Sequence, residues 1–260
     1  MKCALFLLSL LVLTTLTSAA GLVQREWTVD GVKREALVYI PDGVGQGGAR
    51  PVVLVFHGHG GTSRLAARGC PIHEHWPEAI VVYPQGLPTP SPLVDHEGTR
   101  NGWQSRAGMQ GDRDLRFIDV MLASLRAEYP VDDKRIYATG HSNGGLFTYL
   151  LWAERGDTFA AFAPSAALLG HGYNKFKPKP ILHLASPQDP LVKFSAQERM
   201  LDYVLKLDGC GPLRPNAMGY TAYPSSQGTD VAVYLHSGGH RYAPAGAELI
   251  VKFFKAHPQL

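Results

Sequence analysis

A Gly-x-Ser-x-Gly pattern, set between a strand-like run and a helix-like run, restricts the fold more than any other feature of the chain. The β-branched and aromatic run 135–139 stops at Gly140, and the apolar segment 146–152 begins just after Gly144. This order of strand, sharp turn and helix is the setting of a nucleophile elbow. The central serine of an elbow has a strained backbone, and the flanking glycines avoid Cβ clashes with the adjoining strand and helix. We predict that Ser142 presents its hydroxyl above the edge of a sheet as a nucleophile.

The remaining hydrophobic pattern predicts an α/β fold, with a mainly parallel sheet and helices on both faces. Continuous apolar runs are typical of strands that are buried on both faces. They occur at Pro51–Phe56, Ala79–Tyr83, Phe159–Ala163, Pro180–Ala185 and Val231–Leu235. Helix-like segments alternate with them, near 115–129, 195–207 and 247–256. An Asp30-Gly31 turn between two β-rich runs predicts an N-terminal antiparallel hairpin at one edge of the sheet.

The predicted helix near 195–207 has capping residues at both ends. Ser195 and Glu198 have the spacing of an N-terminal capping box. Gly209 is suited to a C-terminal cap just after the last helical residue. We therefore expect a helix that is capped by Ser195 and runs to about Leu207.

Length and composition indicate one exported domain. A chain of 260 residues can bury one large core, and its formal net charge of +3 is too small to indicate nucleic acid or an anionic membrane as a partner. Residues 1–20 combine one lysine, a short apolar run and small residues at Ser18 and Ala20, which predicts a secretory signal peptide. We expect a single catalytic domain over residues 21–260, in an extracellular or periplasmic location.

Export would leave Cys70 and Cys210 in an oxidising compartment. One disulfide and two buried free thiols are both open at this point, because sequence does not report the distance between the two residues.

A serine hydroxyl becomes a good nucleophile when a histidine accepts its proton and a carboxylate orients that histidine. After an elbow of this kind, the order along the chain is serine, acid, histidine. Asp189 is the favoured acid because it follows the buried run 180–185 directly, and site residues are presented where parallel strands end. Asp202 and Asp208 lie on or just after a helix, and Asp230 precedes a strand.

The base is predicted at His240, in a Gly-rich loop just after the last strand-like run. Glycines give such a loop the freedom to bring an imidazole over the serine. His236 and His183 lie closer to or within apolar runs, where packed core histidines are the simpler interpretation.

The developing oxyanion needs two donors that are in place before the reaction. The N–H of Asn143, next after the serine, is one. The N–H of His59, in the turn after the run 51–56, is the expected second donor.

Two close pairs of histidines, His57 with His59 and His73 with His75, raise the question of a metal site. No set of carboxylates and histidines recurs at a familiar ligand spacing. The serine chemistry needs no metal, and we predict neither a metal nor another cofactor.

The segment Pro84–Met109 has no helical or alternating period, and a loop of this length in a compact domain is usually functional or disordered. We expect this loop to shape the substrate pocket. Trp103 is a candidate substrate-binding platform for an aromatic ring, and a tryptophan packed under the loop is the alternative.

With these motifs in view, the chain resembles the secreted polyhydroxybutyrate depolymerase-like and feruloyl esterase-like proteins from about Arg34 to Phe254. The matching motifs are the Ser-Asn-Gly-Gly elbow, Tyr129–Asp132, Val82–Gly86, Asn101–Trp103 and Asp112–Ile118. The resemblance implies an α/β-hydrolase fold, hydrolysis of carboxylic esters without a cofactor, and a triad of Ser142, Asp189 and His240. It also implies an oxyanion turn at Gly58 and His59.

The expected function is that of a serine esterase acting on feruloyl, hydroxycinnamoyl or short acyl esters, as small molecules or on polysaccharide. A polyester depolymerase and an acetylxylan-type esterase are alternatives. A polymer-binding or propeller domain is not expected, which disfavours the polyester and peptidase alternatives. A non-catalytic binding protein with the hydrolase fold is the alternative of another class. The oligomeric state stays open.

Overall fold

A nine-stranded sheet forms the centre of the computed structural model, which describes residues 21–214 and 218–259. The predicted signal peptide, residues 1–20, lies outside the described residues. The strands of this sheet are β1 (Leu22–Val29), β2 (Val32–Tyr39), β3 (Arg50–Phe56), β4 (Ile80–Pro84), β7 (Val131–His141), β8 (Ala161–Ser165), β9 (Ile181–Ala185), β10 (Gly219–Tyr223) and β11 (Val231–Leu235). A separate two-stranded ribbon joins β5 (Leu87–Pro88) to β6 (Asn101–Gly102).

The spatial order of the large sheet is β1-β2-β4-β3-β7-β8-β9-β11-β10. The six strands from β4 to β11 in this order run parallel, and antiparallel strands close both edges. The N-terminal hairpin is confirmed: Asp30 and Gly31 both have positive φ, at 50° and 78°, as a tight type I′ turn requires. Strand β10 was missed, because its sequence lacks the continuous apolar run of a doubly buried strand.

Helices cover both faces of the sheet, as predicted. They are α1 (Ser63–Gly69), α2 (Ile72–His75), α3 (Arg113–Glu128), α4 (Asn143–Arg155), α5 (Phe194–Leu207) and α6 (Gly246–Ala256). Helices α3, α4 and α5 pack into one apolar core, and α1, α2 and α6 pack into a second core on the opposite face. Among the described helices, none combines the length and the hydropathy that crossing a bilayer would require.

Of the two boundary signals predicted for α5, the C-terminal one is confirmed and the N-terminal one is wrong. Its N-cap residue is Lys193 and forms no side-chain cap, so the predicted capping box at Ser195 is wrong. Ser195 already lies in the first turn, because the carbonyl of Lys193 accepts the first helical hydrogen bonds. At the other end, Gly209 has φ 66°, and the N–H of Cys210 donates to the carbonyl of Leu205, which is a Schellman cap.

The two cysteines are free thiols on opposite sides of the sheet. Cys70 is buried in the core formed with α1, α2 and α6, whereas Cys210 packs against the other core. A disulfide would have to pass through the sheet. The sequence left open a disulfide or two free thiols, and in the structure both cysteines are free, with Cys70 buried and Cys210 partly exposed.

Candidate active site

Ser142 lies at the sharp turn between β7 and α4, with φ 56° and ψ −120°. This conformation is rare for a residue with a Cβ, and it persists only where the surroundings impose it. A Cβ on Gly140 would lie 2.4 Å from the carbonyl oxygen of Gly144, and a Cβ on Gly144 would lie 2.3 Å from that of Phe56. The close approach of strand, turn and helix thus requires both glycines.

The three side chains predicted to act together are in hydrogen-bond contact. His240 Nε2 lies 2.8 Å from Ser142 Oγ, and His240 Nδ1 lies 2.8 Å from Asp189 Oδ2. Because a carboxylate only accepts, Nδ1–H donates to Asp189, and Nε2 is free to accept the serine proton. The Asp189 side chain is fully buried, and the imidazole is 15% exposed.

Asp189 follows β9, at the edge where the parallel strands end, and both of its oxygens are in use. While Oδ2 accepts from His240, Oδ1 accepts from the backbone N–H groups of Leu191 (2.8 Å) and Val192 (2.9 Å). These bonds hold the carboxylate in one orientation. The rival Asp208 instead accepts from the N–H of Lys179, and the carboxylate in contact with His240 is that of Asp189.

The ring of His240 packs against that of His141, which in turn packs against Tyr242. The ring of His141 lies 4.9 Å from that of His240 and 4.6 Å from that of Tyr242. Burial, assisted by the charge of His240, lowers the pKa of His141 to about 3. His141 is therefore neutral near pH 7 and adds no positive charge beside the base.

The rival histidines occupy other positions. His183 is fully buried between the Tyr149 hydroxyl, at 2.8 Å, and Gln197 Oε1, at 2.9 Å. His236 is also buried, and its Nδ1 accepts from the N–H of Gly238. Both are packed histidines, the simpler interpretation of their sequence context.

The two expected oxyanion donors border the same pocket as the serine. His59 and Asn143 both line the cavity beside Ser142. Within the described residues, neither backbone N–H donates a hydrogen bond to another group. Two unused donors beside a nucleophile are what an oxyanion site requires.

The Asn143 side chain joins the elbow to the long loop. Its Oδ1 accepts from the N–H of Trp103 at 2.7 Å, and its Nδ2 donates to the carbonyl of Trp103 at 3.1 Å. The Asn101–Trp103 and Ser-Asn-Gly-Gly motifs are therefore in direct contact. Sequence alone carried no signal for this contact.

Trp103 is not a substrate platform, so this expectation is corrected. Its side chain is fully buried, stacks on Phe147 and donates from Nε1 to the carbonyl of His57 at 2.9 Å. The alternative of a tryptophan packed under the loop is correct, because the Asn143 contacts draw its backbone into the core. His57, beside it, accepts from the N–H of Gly86, and burial lowers its pKa to about 4.

The pocket beside the serine has a volume of about 310 Å³ and is chiefly aliphatic. Its apolar walls include Leu93, Val94, Leu146, Leu168, Leu191 and Val192. The long loop supplies one wall and the segment after Asp189 another, while α4 contributes Leu146. No Asp, Glu, Lys or Arg is among the described residues that line it, so the pocket suits an uncharged, apolar group.

Three of the four paired histidines each contact a different partner. His57 faces Gly86, His59 faces Asp95, and His73 Nδ1 lies 2.7 Å from the Tyr83 hydroxyl. Within residues 21–214 and 218–259, no group of three or more His, Cys, Asp or Glu side chains is arranged to hold a metal ion.

Comparison with known proteins points to serine hydrolases. The profile of the prolyl oligopeptidase family matches residues 104–171, the part of the chain that contains the elbow. The chain is 26% identical to the bifunctional acetylxylan esterase/xylanase of Neocallimastix patriciarum, over 96% of its own length and 40% of that protein. It is also 26% identical to feruloyl esterase C of Emericella nidulans, over 82% of its own length and 78% of that protein.

The fold has solved counterparts. The acetyl xylan esterase from Aspergillus awamori superposes with a TM-score of 0.64 at 14% sequence identity, over 90% of this chain and 99% of that one. At this identity the likeness concerns the fold, and it confirms the predicted α/β architecture.

Proposed function

We propose that the chain is a feruloyl esterase-like α/β-hydrolase, a secreted serine esterase that cleaves feruloyl, hydroxycinnamoyl or short acyl esters. The observation that carries the proposal is the line of hydrogen bonds from Ser142 through His240 to Asp189, at 2.8 Å each. Ser142 lines a pocket without charged side chains, which is also lined by His59 and Asn143, whose backbone N–H groups donate no hydrogen bond within the described residues. Relatives named as esterases support the reaction class.

The proposed reaction is acyl transfer in two steps. Ser142 Oγ attacks the ester carbonyl while His240 Nε2 accepts its proton, and the tetrahedral oxyanion receives hydrogen bonds from the N–H groups of Asn143 and His59. The C–O bond to the alcohol then breaks, and His240 returns the proton to the leaving alkoxide. Water repeats these steps on the acyl-enzyme and releases the acid. Asp189 stabilises the charged imidazole throughout.

The pocket narrows the substrate class. Its aliphatic walls favour an acyl or aryl group without charge, and its volume of about 310 Å³ is at the small end for ligand pockets. A feruloyl group meets both conditions, and so does a short acyl chain. An acetylxylan-type substrate is the second candidate, because one relative is named as an acetylxylan esterase.

Replacing the nucleophile tests the proposal. We expect Ser142→Ala to lower kcat on methyl ferulate and p-nitrophenyl acetate by at least about a thousandfold, since the residues of a triad act as a unit. Ser195→Ala, at an exposed serine on α5, is the matched control and should keep wild-type rates. Retention of most of the activity by Ser142→Ala would exclude this mechanism.

A wider panel separates the alternatives. Acetylated xylan, methyl ferulate and a polyester film distinguish the three ester classes. Peptide amides test for a peptidase. A fluorophosphonate probe should label the wild type at Ser142, whereas a non-catalytic binding protein would stay unlabelled.

A further inference from the structure

A buried hydrogen bond between two side chains, His59 and Asp95, helps to tie the long loop to the oxyanion turn. His59 Nε2 lies 3.0 Å from Asp95 Oδ2, and the two side chains are 5% and 7% exposed. Because a carboxylate only accepts, the N–H on His59 Nε2 donates to Asp95, and His59 Nδ1 has no hydrogen-bond partner among the described residues. This contact lies outside the triad and is not needed to build it.

Asp95 is itself held firmly by its own loop. Its Oδ2 also accepts from the N–H of Arg100 at 2.8 Å, and its Oδ1 accepts from the N–H and hydroxyl of Thr99. These bonds, led by that from Arg100 and followed by that from His59, hold the pKa of the Asp95 carboxyl well below its usual range. Its backbone exchanges two hydrogen bonds with Ser91, which closes the loop segment 91–95.

The other side of the His59 ring lies against the protein backbone. A Cβ on Gly102 would lie 2.6 Å from His59 Nδ1, so the ring packs directly on the backbone of β6. The next amide, the N–H of Gly60, donates to the carbonyl of Asn101 at 2.7 Å. The His59 side chain is therefore held between Gly102 and Asp95. His59 lines the pocket, and its own N–H donates no hydrogen bond within the described residues.

We propose that Asp95 is a positioning residue for the oxyanion site, which acts through the His59 imidazole to hold the His59 N–H toward the reacting carbonyl. This inference rests on the proposed esterase function. Because residues 90–94 of the same loop line the pocket, the clamp also makes the pocket wall and the oxyanion donor one unit. A backbone donor that is held before reaction spends no free energy on reorganisation in the transition state.

Three variants test the clamp. Asp95→Ala removes every acceptor, Asp95→Asn keeps one oxygen that can accept from His59, and His59→Phe keeps a ring on Gly102 but removes the donor. Glu97→Gln is the matched control, because it removes one negative charge from an exposed position of the same loop.

The measurements are kcat and KM on p-nitrophenyl acetate, with active sites counted by a fluorophosphonate probe, and the inhibition constant of an alkyl trifluoromethyl ketone. The ketone forms an oxyanion on Ser142, so its affinity reports on the oxyanion site and not on folding. We expect Asp95→Ala to lower kcat by about ten- to a hundredfold, less than the loss of a whole donor. KM should change by less than about threefold, and ketone affinity should fall in parallel with kcat.

The kcat and ketone affinity of Asp95→Asn should lie between those of Asp95→Ala and the wild type, and those of Glu97→Gln should equal the wild-type values. In the His59→Phe background, Asp95→Ala should lower kcat by less than about threefold, because the imidazole through which Asp95 acts is already absent. Wild-type kcat and ketone affinity in both Asp95 variants would overturn the inference, as would equal losses from Asp95→Ala with and without His59. If Asp95→Ala does not fold, Asp95→Asn and His59→Phe carry the same test. Failure of the esterase proposal is separate, since the wild type itself would then be inactive.

Discussion

At the scale of single residues, local chemistry explains why a few positions accept only one amino acid. Ser142 has a strained φ of 56°, and the adjacent approach of strand and helix leaves no room for a Cβ at Gly140 or Gly144. Asp189 uses both carboxylate oxygens, one on the imidazole and one on its own loop. Such residues are determined by geometry within a few ångströms.

Asp208 shows the opposite case of a poorly satisfied carboxyl. Its Oδ1 accepts from the N–H of Lys179, but its Oδ2 is buried without a hydrogen bond to any described side chain. Burial raises the pKa of Asp208 to about 7. The folded state therefore keeps this proton at pH values where the unfolded chain, with an ordinary pKa near 4, has lost it.

This difference gives a pH-dependent stability prediction. The stabilising effect of the raised pKa is complete below about pH 4 and is lost as the pH rises to about 7. Asp208→Asn removes this dependence, so its free energy of unfolding relative to wild type should increase from pH 4.5 to pH 7 and then level off. Urea unfolding of both proteins at pH 4.5, 6 and 7.5 measures this difference in the free energy of unfolding. A constant difference across this range would contradict the raised pKa.

At the scale of elements, one buried ion pair joins the hairpin, a helix and the long loop. Arg34 of β2 lies 2.8 Å from Asp114 of α3, and the side chains are 1% and 0% exposed. The second oxygen of Asp114 accepts from the N–H of Gln104, in the loop that leads from Trp103. Asp114 therefore anchors the loop that shapes the pocket.

Removing this carboxylate should be strongly destabilising. Asp114→Ala leaves the Arg34 guanidinium buried and uncompensated, and we expect the free energy of unfolding to fall by about 3–5 kcal/mol. The control is Asp119→Ala on the same helix, whose partly exposed pair with Arg155 should contribute less than about 1 kcal/mol. Urea denaturation of both variants gives the comparison. Equal losses would show that burial of the pair is unimportant.

At the scale of the whole molecule, the sheet both assembles the site and keeps the cysteines apart. His57, Ser142, Asp189 and His240 all follow the carboxyl ends of parallel strands, and these ends meet at one edge. The same sheet separates Cys70 from Cys210. Stability of this domain therefore depends on its two apolar cores.

The proposed signal peptide leads us to expect a mature N-terminus at Gly21, and we expect two free thiols. Because the sheet lies between the cysteines, a thiol reagent should count two groups in urea, and dithiothreitol should leave the unfolding midpoint unchanged. N-terminal sequencing tests the proposed cleavage site. A midpoint that falls on reduction would indicate a disulfide and contradict the separation of the thiols.

The sequence by itself determined what depends on near neighbours. The elbow, the buried strands, the hairpin turn and the glycine cap of α5 are set by steric and hydrogen-bond rules that act over a few residues. Chain order and strand ends also singled out Asp189 and His240, because a parallel sheet presents its site residues at one edge.

Only the tertiary structure decided what depends on long-range packing. Trp103 is buried because Asn143, 40 residues later, binds its backbone. The edge strand β10 forms by pairing with β11, the two thiols are free because a sheet lies between them, and Asp95 meets His59 across 36 residues. These contacts bring together segments far apart in the chain, so no local pattern of residues specifies them.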